Sequence, residues 1–401
     1  MWSSFTGDVE LGALNKIADG FNASQSDFTT KIVQVASTNE SDVTKLMTAV
    51  RGGVGPDVYL FNRPFAIQRA ADGVLQDLSS YVDVDELASH YVEFAFNECR
   101  WQNGLFALPF DTDARALYYR KDILTEVGAD LTLFDPANGP ITLAKLEEIS
   151  ALIDKKDDNG KYTRMGFVPW YAQGWHYTWG YNFGGSFYSA DECKVTATDP
   201  GVKAGFQYMY DRASALGASN VQEFLSAVNR PDAPPAQNPF YTGSIAMMIS
   251  GDWEIAGLAN YAPDVEYGIT YIPVPKEGDK QTSWSAGFSV VMPQGAKSPD
   301  GAVAFMKYMA GPEGQRVYTT DTSHLPTSKE LLADDSLFTE QHTFFRDMLA
   351  YSRALPTTPV GAQLWDELTS AQEKVTLNNA TPDDVLPEVD NRVQQQLQRY
   401  C

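Results

Sequence analysis

The sequence is poor in cysteine, in histidine and in positive charge. Its 401 residues include 3 cysteines and 4 histidines, and 30 lysines and arginines stand against 52 aspartates and glutamates, so the net charge is −22 at pH 7. Such a surface repels nucleic-acid phosphates and anionic lipid headgroups unless it carries a compact basic patch. The lysines and arginines are instead scattered singly among acids. We therefore expect no nucleic-acid partner.

Long apolar runs are missing as well. No stretch approaches the ~20 consecutive apolar residues of a membrane span. The chain also lacks a basic, then apolar, then small-residue leader at its start. These absences fit either a cytosolic protein or the mature form of an exported one, and the opening Met1–Ser4 does not decide between them.

The cysteines give little sign of metal or redox chemistry. Cys99, Cys193 and Cys401 show no CxxC spacing, so a thiolate metal site or a redox pair is not indicated. A Cys99–Cys193 disulfide would be possible in an oxidising compartment. Two unpaired thiols are the favoured prediction for Cys99 and Cys193, because a core of this size needs no cross-link.

Catalytic signatures are absent too. The sequence contains no HExxH, GxSxG, GxxxxGK[ST] or strand-linked GxGxxG motif. The histidines are scattered, which favours surface or packing roles; they are His90, His176, His324 and His342. The loop Asp154–Gly160 has the wrong residues for an EF-hand, with Lys155 at the first position and Gly166 at the last. We expect a protein that is not an enzyme and has no catalytic residue, metal or cofactor.

What is present is an alternation of helix and strand patterns. Leu14, Ile17, Ala18 and Phe21 recur at helical spacing, and the apolar runs at 31–35 and 56–61 flank a second helical pattern at 43–50. Continuous apolar strands between amphipathic helices predict a parallel sheet covered on both faces. At ~150 residues per domain the length predicts two or three domains.

Aromatic residues concentrate in one segment, 170–185, which contains Trp170, Trp175 and Trp179 among glycine, asparagine, glutamine and histidine. Sugar sites combine aromatic faces for stacking with amides and carboxylates that bind hydroxyls. The alternative is that these rings fill a core. The interspersed polar residues and glycines argue against a continuous core helix, so we interpret the cluster as a binding surface.

Three segments in register carry a family resemblance: 104–122, 243–253 with its Gly-Asp-Trp turn, and 284–293. Pro312–Gln315 and the turn Leu325–Thr327 follow in the same order. Together the segments resemble the extracellular solute-binding proteins of carbohydrate ABC importers, the family that includes maltose-binding protein. Arg120 stands where the family often has asparagine. Trp2 resembles part of the turn after the family's first strand, so we expect most of that strand to be missing.

The resemblance implies an α/β fold of the two-lobed, periplasmic-binding-protein type II. Each lobe would be a mainly parallel sheet flanked by helices, and the lobes would be discontinuous and joined by a hinge. We expect lobe 1 to comprise residues 1–111 plus 288–328, and lobe 2 residues 112–287 plus 329–401. The crossings would fall near 111–115, 285–288 and 325–328, with the ligand cleft between the lobes.

The function implied is that of an extracytoplasmic carrier. The protein would capture a sugar, in particular an oligosaccharide, by hinge closure and deliver it to the membrane permease of an ABC importer. It would be a monomer in the periplasm or a lipoprotein anchored at the outer face of the membrane. Two alternatives stay open: a secreted glycoside hydrolase or lyase, and a carrier for a non-sugar solute such as a polyamine.

The candidate ligand contacts follow predicted strands or lie at the crossings. Asp111, Asp113 and Arg115 could equally form a structural ion pair at the hinge, and Asp252 could be a helix N-cap. Trp253 could stack on a sugar or fill the core of the second lobe. The full set is Phe5, Thr6, Ser37, Asn39, Asn62, Arg63, Asp111, Asp113, Arg115, Trp170, Trp175, Trp179, Gly251, Asp252, Trp253, Trp284, Ser285 and Gly287.

Overall fold

A computed structural model describes residues 1–5, 7–35, 43–230 and 233–401. Its first strands are β1 (Trp2–Ser3), β2 (Val33–Gln34), β3 (Tyr59–Asn62), β4 (Arg100–Trp101), β5 (Gly104–Leu105), β6 (Ala107–Pro109), β7 (Asp111–Thr112), β8 (Arg115–Arg120) and β9 (Lys155–Lys156). The remaining strands are β10 (Tyr162–Ala172), β11 (Tyr188–Ser189), β12 (Lys194–Val195), β13 (Ile245–Gly251), β14 (Tyr267–Thr270), β15 (Ser283–Ser285), β16 (Phe288–Val291), β17 (Leu325–Pro326) and β18 (Ser352–Ala354).

Helices connect and flank these strands. The first are α1 (Asp8–Ser24), α2 (Thr44–Arg51), α3 (Ala66–Ala71), α4 (Val84–His90), α5 (Glu93–Asn97), α6 (Lys121–Glu126), α7 (Leu143–Ile153), α8 (His176–Asn182) and α9 (Pro200–Leu216). The rest are α10 (Ala218–Val228), α11 (Pro239–Thr242), α12 (Glu254–Tyr261), α13 (Pro299–Ala310), α14 (Pro312–Thr322), α15 (Lys329–Leu332), α16 (Glu340–Met348), α17 (Gly361–Thr376) and α18 (Pro382–Leu397).

Two five-stranded sheets organise the molecule. The first has the order β2-β1-β3-β16-β6, and the second has the order β14-β8-β13-β10-β9. In the first sheet β16 runs antiparallel to both neighbours, β3 and β6, while β1 pairs in parallel with β2 and β3. In the second sheet β10 and β13 are parallel, and β8 opposes both β13 and β14. The strands β8 and β16 run antiparallel to both of their neighbours, and each follows a crossing of the chain between the sheets.

Three chain segments connect the two sheets. The first runs from β6 to β8, and its β7 pairs with β17 of the third segment through Leu325↔Thr112 and Pro326↔Asp111. The second runs from β15 to β16, and β15 pairs in parallel with β18. The first and third crossings are therefore joined by a short two-stranded ladder, and the second begins in a ladder with β18.

The helical periodicity in the sequence corresponds to buried faces. Leu14, Ile17 and Phe21 are buried on α1, as their spacing predicts. Thr142 caps α7 by accepting a hydrogen bond from the backbone N–H of Lys145. Such amphipathic helices bury one stripe against a sheet because only that stripe is apolar. No helix among the described residues is long and apolar enough to cross a membrane.

The aromatic segment is in part a core helix, contrary to our interpretation of it. All residues of α8 are buried, and Trp179 is fully buried with its indole N–H donated to the carbonyl of Pro169 at 2.9 Å. Gly180 lies inside this helix, and the ring of Phe187 packs where a Cβ atom of residue 180 would lie. A small residue lets an aromatic neighbour approach the backbone closely, which sequence periodicity does not reveal.

The prediction of an unpaired thiol was wrong for Cys193. Cys193 and Cys401 form a disulfide with Cα atoms 6.1 Å apart, whereas Cys99 keeps a buried free thiol. The bonded residues are 208 positions apart, and the packing of α18 against β12 brings them together. No local spacing signals such a pair.

The first strand also differs from our expectation. Trp2 and Ser3, which resemble a turn, form β1 between β2 and β3. The backbone N–H of Trp2 donates to the carbonyl of Val58 at 2.9 Å, and that of Val35 donates to the carbonyl of Ser3 at 2.8 Å. These residues therefore pair with strands on both sides within the first sheet.

Candidate functional site

A cavity of about 250 Å³ lies between the two sheets, and we call it the near compartment. It is lined by Phe5, Glu10, Asn62, Phe65, Asp113, Arg115, Gln173, Trp175, Trp253, Trp284, Ala286, Gly287, Phe288, His324, Leu355 and Trp365. Both sheets and all three crossings contribute to this wall. A molecule bound there would touch both halves of the structure.

Parallel strands bring much of this wall together. Asn62 is the last residue of β3, Gln173 follows β10, and Trp253 comes two residues after β13. The carboxyl ends of parallel strands meet at one edge of a sheet, which is where open α/β sheets bind ligands. The positions of these side chains are thus a consequence of the fold topology.

Aromatic faces dominate the near compartment. Trp284 is almost fully buried, and its indole N–H donates to Oγ1 of Thr178 at 2.7 Å. The ring of Trp365, from α17, lies 5.4 Å from that of Trp175, centroid to centroid. Hydrogen-bonded and mutually packed indoles are held rigidly, so Trp284 and Trp365 form a firm backing and the half-buried Trp175 presents a preorganised stacking surface.

Arg115 brings a positive charge to this aromatic wall. Its guanidinium carbon lies 3.5 Å from the ring centroid of Trp284 and 5.2 Å from that of Trp253. The guanidinium forms an ion pair with Asp113 and also donates to Oε1 of Gln173 at 3.4 Å. Asp113 accepts a further hydrogen bond from the backbone N–H of Ala286 at 2.7 Å. The ion pair that we considered as a structural alternative is formed, and both of its members also line the cavity.

Trp253 lies half-buried between the cavity and the end of β13. Its ring folds over Gly251, where a Cβ atom would collide with it. Its ring stacks on that of His324, which also lines the cavity, with centroids 5.5 Å apart and planes 22° from parallel. Burial lowers the pKa of His324 to about 4, so this ring is neutral at physiological pH. The Gly-Asp-Trp turn thus places an indole at the cleft and keeps it out of the core.

Arg63, a predicted ligand contact, has no exposed surface and acts at the hinge. Its Nε forms an ion pair with Glu98 at 2.6 Å, and its other nitrogens donate to the carbonyls of Asp111 and Ala286. Gly287 beside it has φ of 128°, and a Cβ there would lie 2.5 Å from the carbonyl oxygen of Asp111. The guanidinium therefore ties the first two crossings together, and only glycine fits next to it.

Asp111 and Asp252, also predicted contacts, are fully buried. Oδ1 of Asp111 accepts from the backbone N–H of Phe288, and Oδ2 of Asp252 accepts from that of Leu325 at 2.8 Å. Burial raises the pKa of Asp111 to about 8 and raises that of Asp252 strongly. Asp252 makes no N-cap bond to α12, so that alternative was wrong. Each acid instead fastens a crossing segment.

The other predicted residues are divided between the cavity and its surroundings. Those that line the cavity are Phe5, Asn62, Asp113, Arg115, Trp175, Trp253, Trp284 and Gly287. Gly251 and Ser285 are buried behind it, Trp170 is half-buried against both cores, and Trp179 is in the core. Thr6, Ser37 and Asn39 lie outside the described residues. Ligand contact by the lining residues stays a prediction.

Several lining residues were missed. Gln173 lies within the aromatic segment 170–185, which was a usable signal. Glu10 faces the cavity from the first turn of α1, where an acid is ordinary. Trp365 and Leu355 come from the last quarter of the chain, and nothing in their local sequence points to a cleft. In the described part of the chain, no group of three potential ligands is arranged to hold a metal ion.

Comparisons with known proteins agree on the kind of protein. Residues 16–345 match the family model described as "Bacterial extracellular solute-binding protein". The maltotriose-binding protein of Pyrococcus abyssi is 22% identical over 91% of this chain and 75% of its own. The galactooligosaccharide-binding protein of Bacillus subtilis is 22% identical over 93% of this chain and 84% of its own.

Solved structures share the fold. CpMnBP1 with mannobiose bound superposes with a TM-score of 0.84 at 22% identity, covering 98% of both chains. UgpB from Mycobacterium tuberculosis, in complex with glycerophosphocholine, gives a TM-score of 0.77 at 18% identity, covering 100% of this chain and 98% of its own. The same architecture therefore occurs with a sugar and with a non-sugar solute, and the cleft residues must decide between such ligands.

Proposed function

Because this chain belongs to the bacterial extracellular solute-binding proteins, we propose that it captures a neutral sugar, in particular an oligosaccharide, between two closing lobes. The lobes comprise residues 1–111 plus 288–328 and residues 112–287 plus 329–401. The protein acts as a monomer outside the cytoplasm, free or lipid-anchored at the outer face of the membrane. Its partner is the permease of an ABC importer.

The observation that carries the sugar proposal is the composition of the near compartment. Indole faces from the half-buried Trp175 and Trp253 stand beside the hydrogen-bonding groups of Asp113 and Gln173. Sugar rings offer apolar C–H faces for stacking and hydroxyls for paired hydrogen bonds, so this combination suits them. The relatives named for maltotriose and galactooligosaccharides support the same class of ligand.

Charge argues against a polyamine. Arg115 lines the cavity, and its partner Asp113 balances it locally. A polycation would meet that guanidinium at close range and would need several unpaired carboxylates to offset the repulsion. A neutral ligand leaves the Arg115–Asp113 pair intact.

We propose further that the ligand is carried unchanged. A glycosidase needs two carboxyl groups about 5 to 9.5 Å apart across the scissile bond. Asp111, Asp113 and Asp252 are the acids that could supply such a pair. Asp113 forms an ion pair with Arg115 in the cavity wall. Asp111 and Asp252 are buried and bound to backbone N–H groups of the crossings. Their present role is to hold the hinge.

Calorimetry against a panel of mono- and oligosaccharides tests the ligand class, with spermidine and glycerophosphocholine as non-sugar comparisons. We expect saturable binding of at least one sugar and none of spermidine. Chromatography of the same mixtures after long incubation should return the sugar intact. Selective binding of spermidine, or release of shorter glycans, would overturn the proposal.

A further inference from the structure

The two halves of the molecule also meet between α3 and α17, away from the three crossings. The α3 helix belongs to the first half, where it packs against β4, and α17 belongs to the second, where it packs against α8, α9 and α18. The contact is close, because a Cβ atom added to Gly361 would lie 3.3 Å from the carbonyl oxygen of Pro64. Since each helix is packed into its own half, opening of the cleft displaces one helix relative to the other.

The N-terminus of α17 takes its hydrogen-bond acceptor from the other half. Oε1 of Gln68, on α3, accepts from the backbone N–H of Ala362 at 2.8 Å and from that of Gln363 at 3.4 Å. Val360, at the N-cap position, makes no side-chain cap, and the first turn of α17 contains no acidic residue. The first N–H groups of a helix have no acceptor within the helix, and a side-chain oxygen placed there stabilises the helix end. Gln68 therefore caps α17 across the boundary between the halves.

The capped helix also carries part of the cavity wall. Trp365 of α17 lines the near compartment, and so does Phe65, directly before α3; their ring centroids lie 6.0 Å apart. Gln68 is half-buried and is not among the residues that line this cavity. The cap lies beside the ligand space without being part of it. It can therefore act on binding only through the relative position of the two halves or through the position of Trp365.

We infer that Gln68 is a latch of the closed state: closure brings its amide oxygen onto the N-terminus of α17, and opening takes the oxygen away. In the open state, water replaces this acceptor, as it does at any uncapped helix end. A side-chain cap changes the balance between two such states about 2- to 30-fold. The latch favours closure to the same extent for every ligand, because it touches none of them. This inference rests on the hinge closure proposed above.

The test compares Gln68→Met and Gln68→Glu with the wild type by calorimetry, with mannobiose and maltotriose as two sugars of different size. Methionine keeps the length of the side chain and removes the acceptor, so it should raise the Kd of both sugars by one common factor of about 2 to 30. Glutamate keeps an acceptor and adds a negative charge at a helix N-terminus, so it should keep the wild-type Kd or lower it.

Small-angle scattering of the ligand-free proteins gives a second readout. The radius of gyration should be largest for Gln68→Met and smallest for Gln68→Glu, because the latch shifts the population towards the closed state without ligand. If folded wild type binds neither sugar, the proposed ligand class fails for these sugars, and the ligand-free radii alone decide on the latch.

Gln76→Met is the matched control. Gln76 is also a half-buried glutamine of the first half, but its amide donates within that half, to the carbonyl of Asp77. This variant should keep Kd within about twofold of wild type and leave the radius unchanged. Different factors for the two sugars in Gln68→Met would show that Gln68 acts by positioning Trp365, and would overturn the latch. A Gln68→Met protein with the Kd and radius of wild type, or a Gln68→Glu protein weakened as much as Gln68→Met, would overturn it as well.

Discussion

At the scale of single residues, the cavity wall and the hinge are built from residues that are close neighbours in the sequence. Asp113 lines the cavity and holds the backbone of Ala286, while Asp111, two residues earlier, holds that of Phe288. Arg63 also joins the same two crossings, because its guanidinium donates to the backbone carbonyls of Asp111 and Ala286. Because a cavity-lining residue and a hinge residue lie one or two positions apart, substitutions here must be tested for both binding and stability.

The variant Trp253→Ala distinguishes stacking of this ring on a sugar from packing of the ring in the core. The ring is half-buried at the cavity, so its loss should weaken sugar binding by about 5- to 150-fold, or ~1–3 kcal/mol. The free energy of unfolding should fall by less than the ~3–5 kcal/mol of a fully buried tryptophan. Calorimetry and urea unfolding on one preparation measure both effects.

Trp170→Ala is the matched control, because Trp170 is also half-buried but does not line the cavity. It should leave affinity within about twofold of wild type. If Trp253→Ala instead behaves like this control in binding and costs more stability, Trp253 belongs to the core.

Asp111→Asn tests the buried carboxyl. The pKa of Asp111 is raised by burial from 3.8 in the unfolded chain to about 8 in the fold. The fold favours the protonated carboxyl, and the resulting contribution to the free energy of unfolding is therefore complete below pH 3.8. This contribution is lost as pH rises towards 8, with a slope of up to ~1.4 kcal/mol per pH unit. The asparagine variant should lack this slope between pH 5 and 8, as measured by urea unfolding at several pH values. Asp264→Asn, at an exposed position, should keep the slope of the wild type; equal slopes in all three proteins would refute the assignment.

At the scale of elements, the C-terminal helices fasten the second half of the molecule. The α17 helix contacts α9 and α18, and it places Trp365 in the cavity wall. The disulfide joins Cys401, four residues after the end of α18, to Cys193, directly before β12. A disulfide suits an oxidising, extracytoplasmic compartment.

The double variant Cys193→Ser/Cys401→Ser should lower the free energy of unfolding by ~2–4 kcal/mol, because the bond restricts the unfolded chain. Sugar affinity should stay within about twofold, since neither cysteine lines the cleft. Urea unfolding with and without a reductant measures this, and the reductant should destabilise only the wild type. An unchanged midpoint on reduction of the wild type would contradict the expected contribution.

At the scale of the whole molecule, binding should be coupled to closure. A ligand that contacts residues from both sheets binds the closed state better than the open one and shifts the population towards it. Saturating sugar should therefore reduce the radius of gyration in small-angle scattering and raise the melting temperature. A higher melting temperature with an unchanged radius would indicate a preformed cleft and would contradict hinge closure.

The net charge of −22 gives a second whole-molecule test. Salt screens interactions between charges, and a neutral sugar carries none. Affinity should change by less than about twofold between 0.05 and 0.5 M NaCl, as measured by calorimetry. A steep loss of affinity with salt would indicate a charged ligand in place of a sugar.

The sequence by itself determined the features that depend on local pattern or short motifs. Helical spacing located α1, and the Gly-Asp-Trp turn placed Trp253 at a strand end, because side-chain periodicity and turn chemistry are properties of neighbouring residues. The segments 104–122, 243–253 and 284–293 identified the family. The acidic composition argued against a nucleic-acid partner.

Only the tertiary structure decided which polar and aromatic side chains reach the cleft. Arg63, Asp111 and Trp179 have the chemistry of ligand contacts, but the packing of distant segments buries them, whereas Trp365 enters the wall from a helix more than 100 residues beyond Trp253. The Cys193–Cys401 bond has the same origin. Burial and contact between remote segments depend on how whole elements pack, and that information is absent from any local window of sequence.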